Sequence, residues 1–264
     1  MKILLILVLF VAILPARMLA QVTPPAAQPD HESLWDSIAR QHIRPGRIGD
    51  VDLNVVDYAA IARDPRWKQL LSALESASEP SDPGEKMAFW INAYNVMAIK
   101  VVLSKYPVKS IKDAGGWITA VWDIEAGIVA GKMRTLTEIE HQILRPMGDA
   151  RIHAAIVCAS ISCPPLRAEA FTAATLDKQL DDQMRVWLAN ENIGARVDAA
   201  GGNLQISSIF KWFAEDFEKD AASVRTYVER YLPEEARARL KPNARVGYLS
   251  YDWTLNDSKR STAP

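Results

Sequence analysis

Lys86-Met87-Ala88-Phe89-Trp90-Ile91-Asn92-Ala93-Tyr94-Asn95-Val96-Met97-Ala98-Ile99-Lys100-Val101-Val102 is the longest apolar run of the 264-residue chain once its first twenty residues are set aside. Asp82 and Pro83 stand just before it. A short carboxylate can accept from the free amides of a first helical turn, and proline suits the first helical position because it lacks an N–H and has a preset φ. The sequence predicts a central helix over residues 86–102. Asn92 and Asn95 lie three apart and share one helical face. Buried amides need partners, so hydrogen bonding to a neighbouring loop or strand backbone is preferred over a catalytic role.

Outward from this helix, Leu34, Trp35, Ile38 and Ala39 keep helical spacing, as do Trp67, Leu70, Leu71 and Leu74 after Asp64-Pro65. Between them Val51, Leu53 and Val55 alternate like a strand. Downstream of a Gly115-Gly116 turn, residues 122–124 and 128–129 read as two short strands around Gly127. Thr137-Glu138-Ile139-Glu140 reads as a capping box, with Glu140 as its return acceptor and His141 and Arg145 one turn apart on the helix it starts. Residues 152–158 are apolar at nearly every position and read as a central strand, in which His153 and Cys158 would face opposite sides. A helix over 176–188, a hairpin of 196–198 and 204–207 through Gly201-Gly202-Asn203, helices over 208–217 and 224–232, and a strand over 246–249 complete the pattern. The class is α+β: one helix-rich domain over residues 31–258 with a small mixed or antiparallel sheet around a long central helix.

The ends read differently. Residues 1–20 have the Lys2, apolar block and Ala20 of a secretory signal peptide, and the block is too short to span a bilayer. Residues 21–30, rich in Pro, Ala and Gln, read as a disordered linker, and residues 259–264 as a disordered tail. The expectation is an exported protein, periplasmic or secreted, with no membrane attachment after cleavage. Residues 21–264 carry 29 basic and 32 acidic side chains, a net charge of −3. No basic run is present to hold a phosphate backbone, so nucleic acid is not expected as a partner.

Chemistry concentrates in Arg151-Ile152-His153-Ala154-Ala155-Ile156-Val157-Cys158-Ala159-Ser160-Ile161-Ser162-Cys163-Pro164-Pro165, which holds both cysteines of the chain. In an oxidising compartment two cysteines most economically form one disulfide, and a loop this short contributes only about 2 kcal/mol by the loop-entropy model. The catalytic candidates are Cys158, Cys163, His153 and His141. A thiol hydrolase or acyl transferase could be assembled from a cysteine and either imidazole. Thiol–disulfide exchange ranks lower, because four residues separate the cysteines where Cys-x-x-Cys has two. A metal site built from His153, Cys158, Cys163 and Glu140 ranks lower still, since no ligand pair has metal-binding spacing; neither metal nor cofactor is expected. The leading expectation is a polar pocket between the central helix and the His153 segment. Asn92, Asn95, Glu140 and Arg151 join the catalytic candidates there to bind a ligand or protein partner. Phe210, Trp212, Phe213, Tyr251 and Trp253 read as core aromatics. Trp117 and Trp122 sit in a glycine-containing region and are better placed to touch a ligand, although core packing is the more common fate.

Several of these segments together resemble the domain of unknown function 547 family. They are Val56-Asp57-Tyr58, Phe89 through Asn95, residues 136–145 with Ile139-Glu140-His141, residues 151–165, Ser208-Ile209-Phe210-Lys211-Trp212-Phe213 and Tyr251-Asp252-Trp253. The similarity runs from about residue 56 to 255. It implies that bacterial members are often exported, and it carries no assigned reaction.

Overall fold

The central helix forms, and it extends further at each end than its apolar run. The computed structural model describes residues 30–116, 119–198 and 202–262. The proposed signal peptide, all of the linker except Asp30, Trp117, Gly201 and the last two residues lie outside them.

Helix α1 (His31–His42) is capped by Asp30 and leads into β1 (Ile43–Ile48), which pairs antiparallel with β2 (Val51–Val56). The β1 strand carries Arg44, Pro45, Gly46 and Arg47, so no alternation marked it in the sequence. A short α2 (Tyr58–Ile61) and then α3 (Pro65–Ser76), capped by Asp64, precede α4 (Pro83–Leu103). The Asp82 side chain accepts from the amides of Gly84 and Glu85 at the start of α4. Fifteen of its 21 residues are buried, as expected for a helix surrounded by protein on every side. It packs against α1, the short strand that starts at Gly127 and the helix that carries Glu140.

β3 (Gly127–Val129) and β4 (Lys132–Arg134) form a hairpin. Its turn residues Ala130 and Gly131 have φ of 49° and 70°, the left-handed pair that a two-residue hairpin turn of right-handed twist requires. Residues 122–124 are not a strand: Val121–Asp123 is a 3₁₀ turn. A seven-residue π-helix follows at Glu138–Leu144.

The 152–158 segment departs most from expectation. Instead of a central strand it forms one helical turn, α5 (Ile152–Ala155), then a loop through Cys163. A short apolar run buried on all sides has the same pattern in either conformation. Two contacts favour the turn, one local and one distant: Asp149 accepts from the Arg151 amide, and Asn95 of α4 takes up the backbone of Ala155 and Val157.

The remainder builds a second core. α6 (Leu176–Ala189) packs on α5, and Trp187 stacks on Phe210 at 4.7 Å. β5 (Ala195–Val197), β6 (Leu204–Ile206) and β7 (Val246–Tyr248) form a mixed sheet, antiparallel then parallel. α7 (Ile209–Trp212), α8 (Ala214–Asp220), α9 (Val224–Glu229) and α10 (Glu234–Arg239) surround it. The architecture is α+β and helix-rich, with its strands divided among three small sheets. The chain does not fray at residue 259: Ser258–Arg260 makes a 3₁₀ turn, and the Thr262 amide donates to the Arg47 carbonyl.

Candidate functional site

Where the two cores meet, a partly open pocket of about 160 Å³ is bounded by side chains from several segments. Glu140 and His141 come from the π-helix, His153 from α5, and Ile156, Cys158 and Cys163 from the loop behind it. Ile209 and Trp212 come from α7, Phe213 from the α7–α8 junction, Tyr251 and Trp253 from the C-terminal segment, Tyr94 from α4, and Trp122 from the 3₁₀ turn.

Glu140 reaches the pocket because the helix starts earlier than its sequence suggests. Thr137 makes no cap. The Thr135 hydroxyl accepts from the Glu138 amide, and Thr137 instead bonds Asp123. Starting the cap two residues earlier releases Glu140 from the return role and turns it inward, where its carboxylate accepts from the Tyr94 hydroxyl at 3.3 Å. Burial pushes the carboxyl up to about 7, only partly offset by the Tyr94 bond and by Arg145.

His153 is buried against Phe213, ring centroids 4.1 Å apart, and its Nε2 lies 2.9 Å from an Asp216 carboxylate oxygen. Burial lowers its pKa despite the carboxylate, so the ring is neutral near pH 7, donates Nε2–H to Asp216, and keeps its lone pair on Nδ1. Asp216 also accepts from Arg145 through both oxygens, at 2.6 and 3.2 Å, and from Lys219. The bond from His153, followed by those from Arg145 and Lys219, holds its carboxyl well below the usual range. Arg145 donates in turn to His141 Nδ1 at 2.7 Å, which places that imidazole's own proton on Nε2. Asp216 joins the whole network and went unnoticed in the sequence, where it is one acid among 32. Its only signal is position, between Phe213 and Phe217 on an aromatic segment.

Cys158 and Cys163 form a disulfide pair on the pocket wall. Once the strand is replaced by a turn and loop, alternation no longer separates His153 from Cys158, and both border the same space. The Tyr251 hydroxyl lies 3.2 Å from Cys158 Sγ and 3.1 Å from Cys163 Sγ. Residues 251–257 fasten this loop, through Ile161 N–H to Thr254, Asn256 N–H to Ala159 and Asp252 N–H to the Ser162 hydroxyl.

The structure therefore gathers Glu140, His141, His153, Cys158 and Cys163, and it separates the other candidates from them. Asn92 donates to the Phe171 carbonyl and accepts from the Phe171 amide; Asn95 does the same with Ala155 and Val157. Both amides follow the preferred backbone-bonding expectation and do not line the pocket. Arg151 is held by Asp149, Asp177 and Asp181, also away from it. Trp212, read as core, is 49% exposed and forms a cluster with Tyr251 and Trp253 on the pocket rim. Trp122 meets Trp253 edge to face at 5.4 Å. Phe210 is a core residue, as expected. Among the described residues no group of three or more His, Cys, Asp or Glu side chains is arranged to hold a metal ion. No helix among them is long and apolar enough to cross a membrane.

Residues 79–188 match the family described as Protein of unknown function, DUF547, which supports the resemblance seen in the sequence. That span holds α4, Glu140, His141, His153 and both cysteines, while Asp216, Trp212, Tyr251 and Trp253 lie beyond it. No curated protein and no solved structure matches the chain.

Proposed function

We propose that this is an exported binding protein whose pocket takes one ring-sized apolar group of a ligand or partner. The observation that carries the reading is the pocket's division: Trp122, Trp212 and Trp253 stand at its rim, while Glu140 and His153 bring buried ionisable groups to its wall and His141 stands exposed beside them. Convergent polar groups behind an apolar wall are the usual composition of a small-molecule site. Its volume of about 160 Å³ is close to that of an engineered cavity that admits benzene. The occupant is therefore a side chain or ring, with the rest of its molecule lying outside over the tryptophans. A Glu140 carboxyl poised at about 7 can donate to, or accept from, the polar edge of that ring.

Indole, phenol, benzylamine and benzamide are suitable probes. Titrated into the mature protein, at least one of them should shift the indole N–H resonances of Trp122, Trp212 and Trp253, and Trp212→Ala should weaken that response. Saturating probe that leaves all three resonances in place would overturn the reading. Export is tested separately by the mass of the mature protein from a secreting host, which should begin near Gln21.

One observation favours the thiol hydrolase as a second reading: Asp216 orients the His153 ring in the pocket that both sulfurs border. That chemistry needs the disulfide opened, so ester hydrolysis that appears only after reduction, and disappears in His153→Gln, would support it.

A further inference from the structure

Hydrogen-bond donors crowd the disulfide in a way that disulfide sulfur, a weak acceptor, has little use for: the Tyr251 and Ser160 hydroxyls lie 3.2 and 3.6 Å from Cys158 Sγ and slightly closer to Cys163 Sγ, and only Cys163 also receives a backbone N–H. Cys163 Sγ receives the Cys158 backbone N–H at 3.1 Å and has the Tyr251 hydroxyl at 3.1 Å. The Ser160 hydroxyl lies 3.4 Å from the same sulfur and 3.0 Å from the Tyr251 oxygen. Ser160 has one proton to give. It either donates to Cys163 directly or donates to Tyr251, whose own O–H is then directed to the sulfur. Burial raises the Tyr251 phenol, so it keeps its proton and acts as a donor. Donors arranged this way would hold a thiolate, since charged acceptors form hydrogen bonds about twice as strong as neutral ones.

We infer that the Cys158–Cys163 disulfide exchanges with the two thiols of a peptide substrate, with Cys163 as the stabilised leaving thiolate. The accessibility of the sulfurs sets the direction of attack: Cys158 is half-buried on the pocket wall and Cys163 is buried. A peptide thiolate attacks Cys158 Sγ. A peptide–Cys158 disulfide forms, the Cys158–Cys163 bond breaks, and its electron pair passes to Cys163 as thiolate. The second peptide thiol loses its proton to solvent and attacks the peptide sulfur of the mixed disulfide. The peptide disulfide forms, and Cys158 leaves as a thiolate that takes a proton from solvent. Two electrons have moved from the peptide dithiol to the protein disulfide, and no other oxidant takes part.

The four-residue spacing does not prevent this. In Cys-x-x-Cys sites a helix N-terminus helps to lower the thiol pKa, whereas here no helix begins at Cys158 and the hydroxyl and amide donors take that part. The loop stays in place without the covalent bond. Ala159 is held at φ 60°, a conformation unfavourable for a non-glycine residue, by the Asn256 amide on its carbonyl and by the bridge between Ser160 and Leu255. The reduced thiols would keep their donors.

The test uses the mature protein and no aromatic ligand, so its outcome is independent of what fills the pocket. Equilibrated with mixtures of reduced and oxidised glutathione, quenched in acid and counted by maleimide mass, the pair should pass from oxidised to reduced within the range of those mixtures. A structural disulfide resists the glutathione pool, and a pair that remains oxidised at every ratio overturns the inference. In Cys158→Ala, where Cys163 is the one remaining thiol, thiolate absorbance near 240 nm should titrate at least about one pH unit below the ordinary value of about 8.5, a tenfold gain in thiolate near neutral pH. Adding Tyr251→Phe or Ser160→Ala should move it back up. Titration at or above the ordinary value, or indifference to both substitutions, overturns the inference as well. If Cys158→Ala does not fold, Ser160→Ala in the intact pair decides: it should require a several-fold more reducing mixture, and no change counts against the proposal.

Discussion

The α4 amides and the ionisable cluster built around buried Glu140, His153 and Asp216 are satisfied in opposite ways. Asn92 and Asn95 each spend one donor and one acceptor on a single stretch of main chain, a neutral arrangement without net charge to titrate. At the pocket the groups satisfy one another: Asp216 joins His153 and Arg145, Arg145 joins His141, and Glu140 has Tyr94. The first pattern fixes backbone, whereas the second leaves a neutral imidazole and a carboxyl near neutrality facing a space that a ligand can enter. Burial of a polar group therefore does not fix its role; what distinguishes the two sets is whether the partner is the chain itself or another titratable group.

The largest effect should come from the amide side. Asn95→Ala removes both bonds and leaves the Ala155 carbonyl and the Val157 amide buried without a partner. Each orphaned group costs roughly 1–3 kcal/mol, so about 4 kcal/mol should be lost, measured by urea unfolding. Because Ala155 and Val157 lead directly into the disulfide loop, the damage should reach the pocket. A loss below about 1 kcal/mol would show that water replaces the amide, and the contrast between the two regions would fail.

The same contrast explains what the sequence disclosed. The α4 run is too long for an ordinary strand and has a cap in Asp82, so length and chemistry agree with each other. Residues 152–158 are few enough to be strand or helix, and the deciding contact comes from Asn95, some sixty positions away. Five pocket residues were legible as rare reactive types in apolar surroundings: Glu140, His141, His153, Cys158 and Cys163. Asp216 was not, because a carboxylate on a helix is ordinary until His153 and Arg145 arrive from elsewhere to join Lys219 of its own helix. Trp212 was misread because an aromatic in an aromatic run suggests core, and its exposure depends on where the α7 turn ends. The misplaced cap at Thr137 had a larger consequence, since it gave Glu140 a local duty that the chain assigns to another turn.

Glu140 offers the next test, with an opposite sign. Its carboxyl binds a proton more tightly folded than unfolded, so its contribution to stability is complete below the ordinary value of 4.5 and is lost as pH rises through about 7. A change from 4.5 to about 7 corresponds to roughly 3 kcal/mol. Glu140→Gln should therefore match the parent near pH 4 and exceed it in stability by up to about 3 kcal/mol at pH 8. Asp216 works in the other direction, its contribution being lost only as pH falls below its ordinary value of 3.8, outside this window. His153, lowered by burial, loses stability on acidification below about 6.5, but it is common to both proteins and cancels in the difference. A Glu140→Gln difference that is flat from pH 4 to 8 would place this carboxyl with the neutral, backbone-like group.

The smallest effect on stability, and the one that isolates the pocket, belongs to Trp212. Half of its side chain already faces solvent, and its ring meets Tyr251 and Trp253 on the rim rather than the sealed cores. A ring that keeps two aromatic neighbours and leaves half its surface in water contributes modestly, so Trp212→Ala should lower the urea unfolding free energy by about 1 kcal/mol, less than either change above. Binding depends on a different area, the face of the ring that a ligand would cover, and losing an aromatic contact of that kind costs about 1 kcal/mol, several-fold in Kd for the ring probes. Separation of the two readouts is the essential point. If Trp212→Ala destabilised the fold by 2 kcal/mol or more, the rim would be a structural lid over the His153 cluster, and the pocket would have to be assigned to the fold in the same way as the amides of α4.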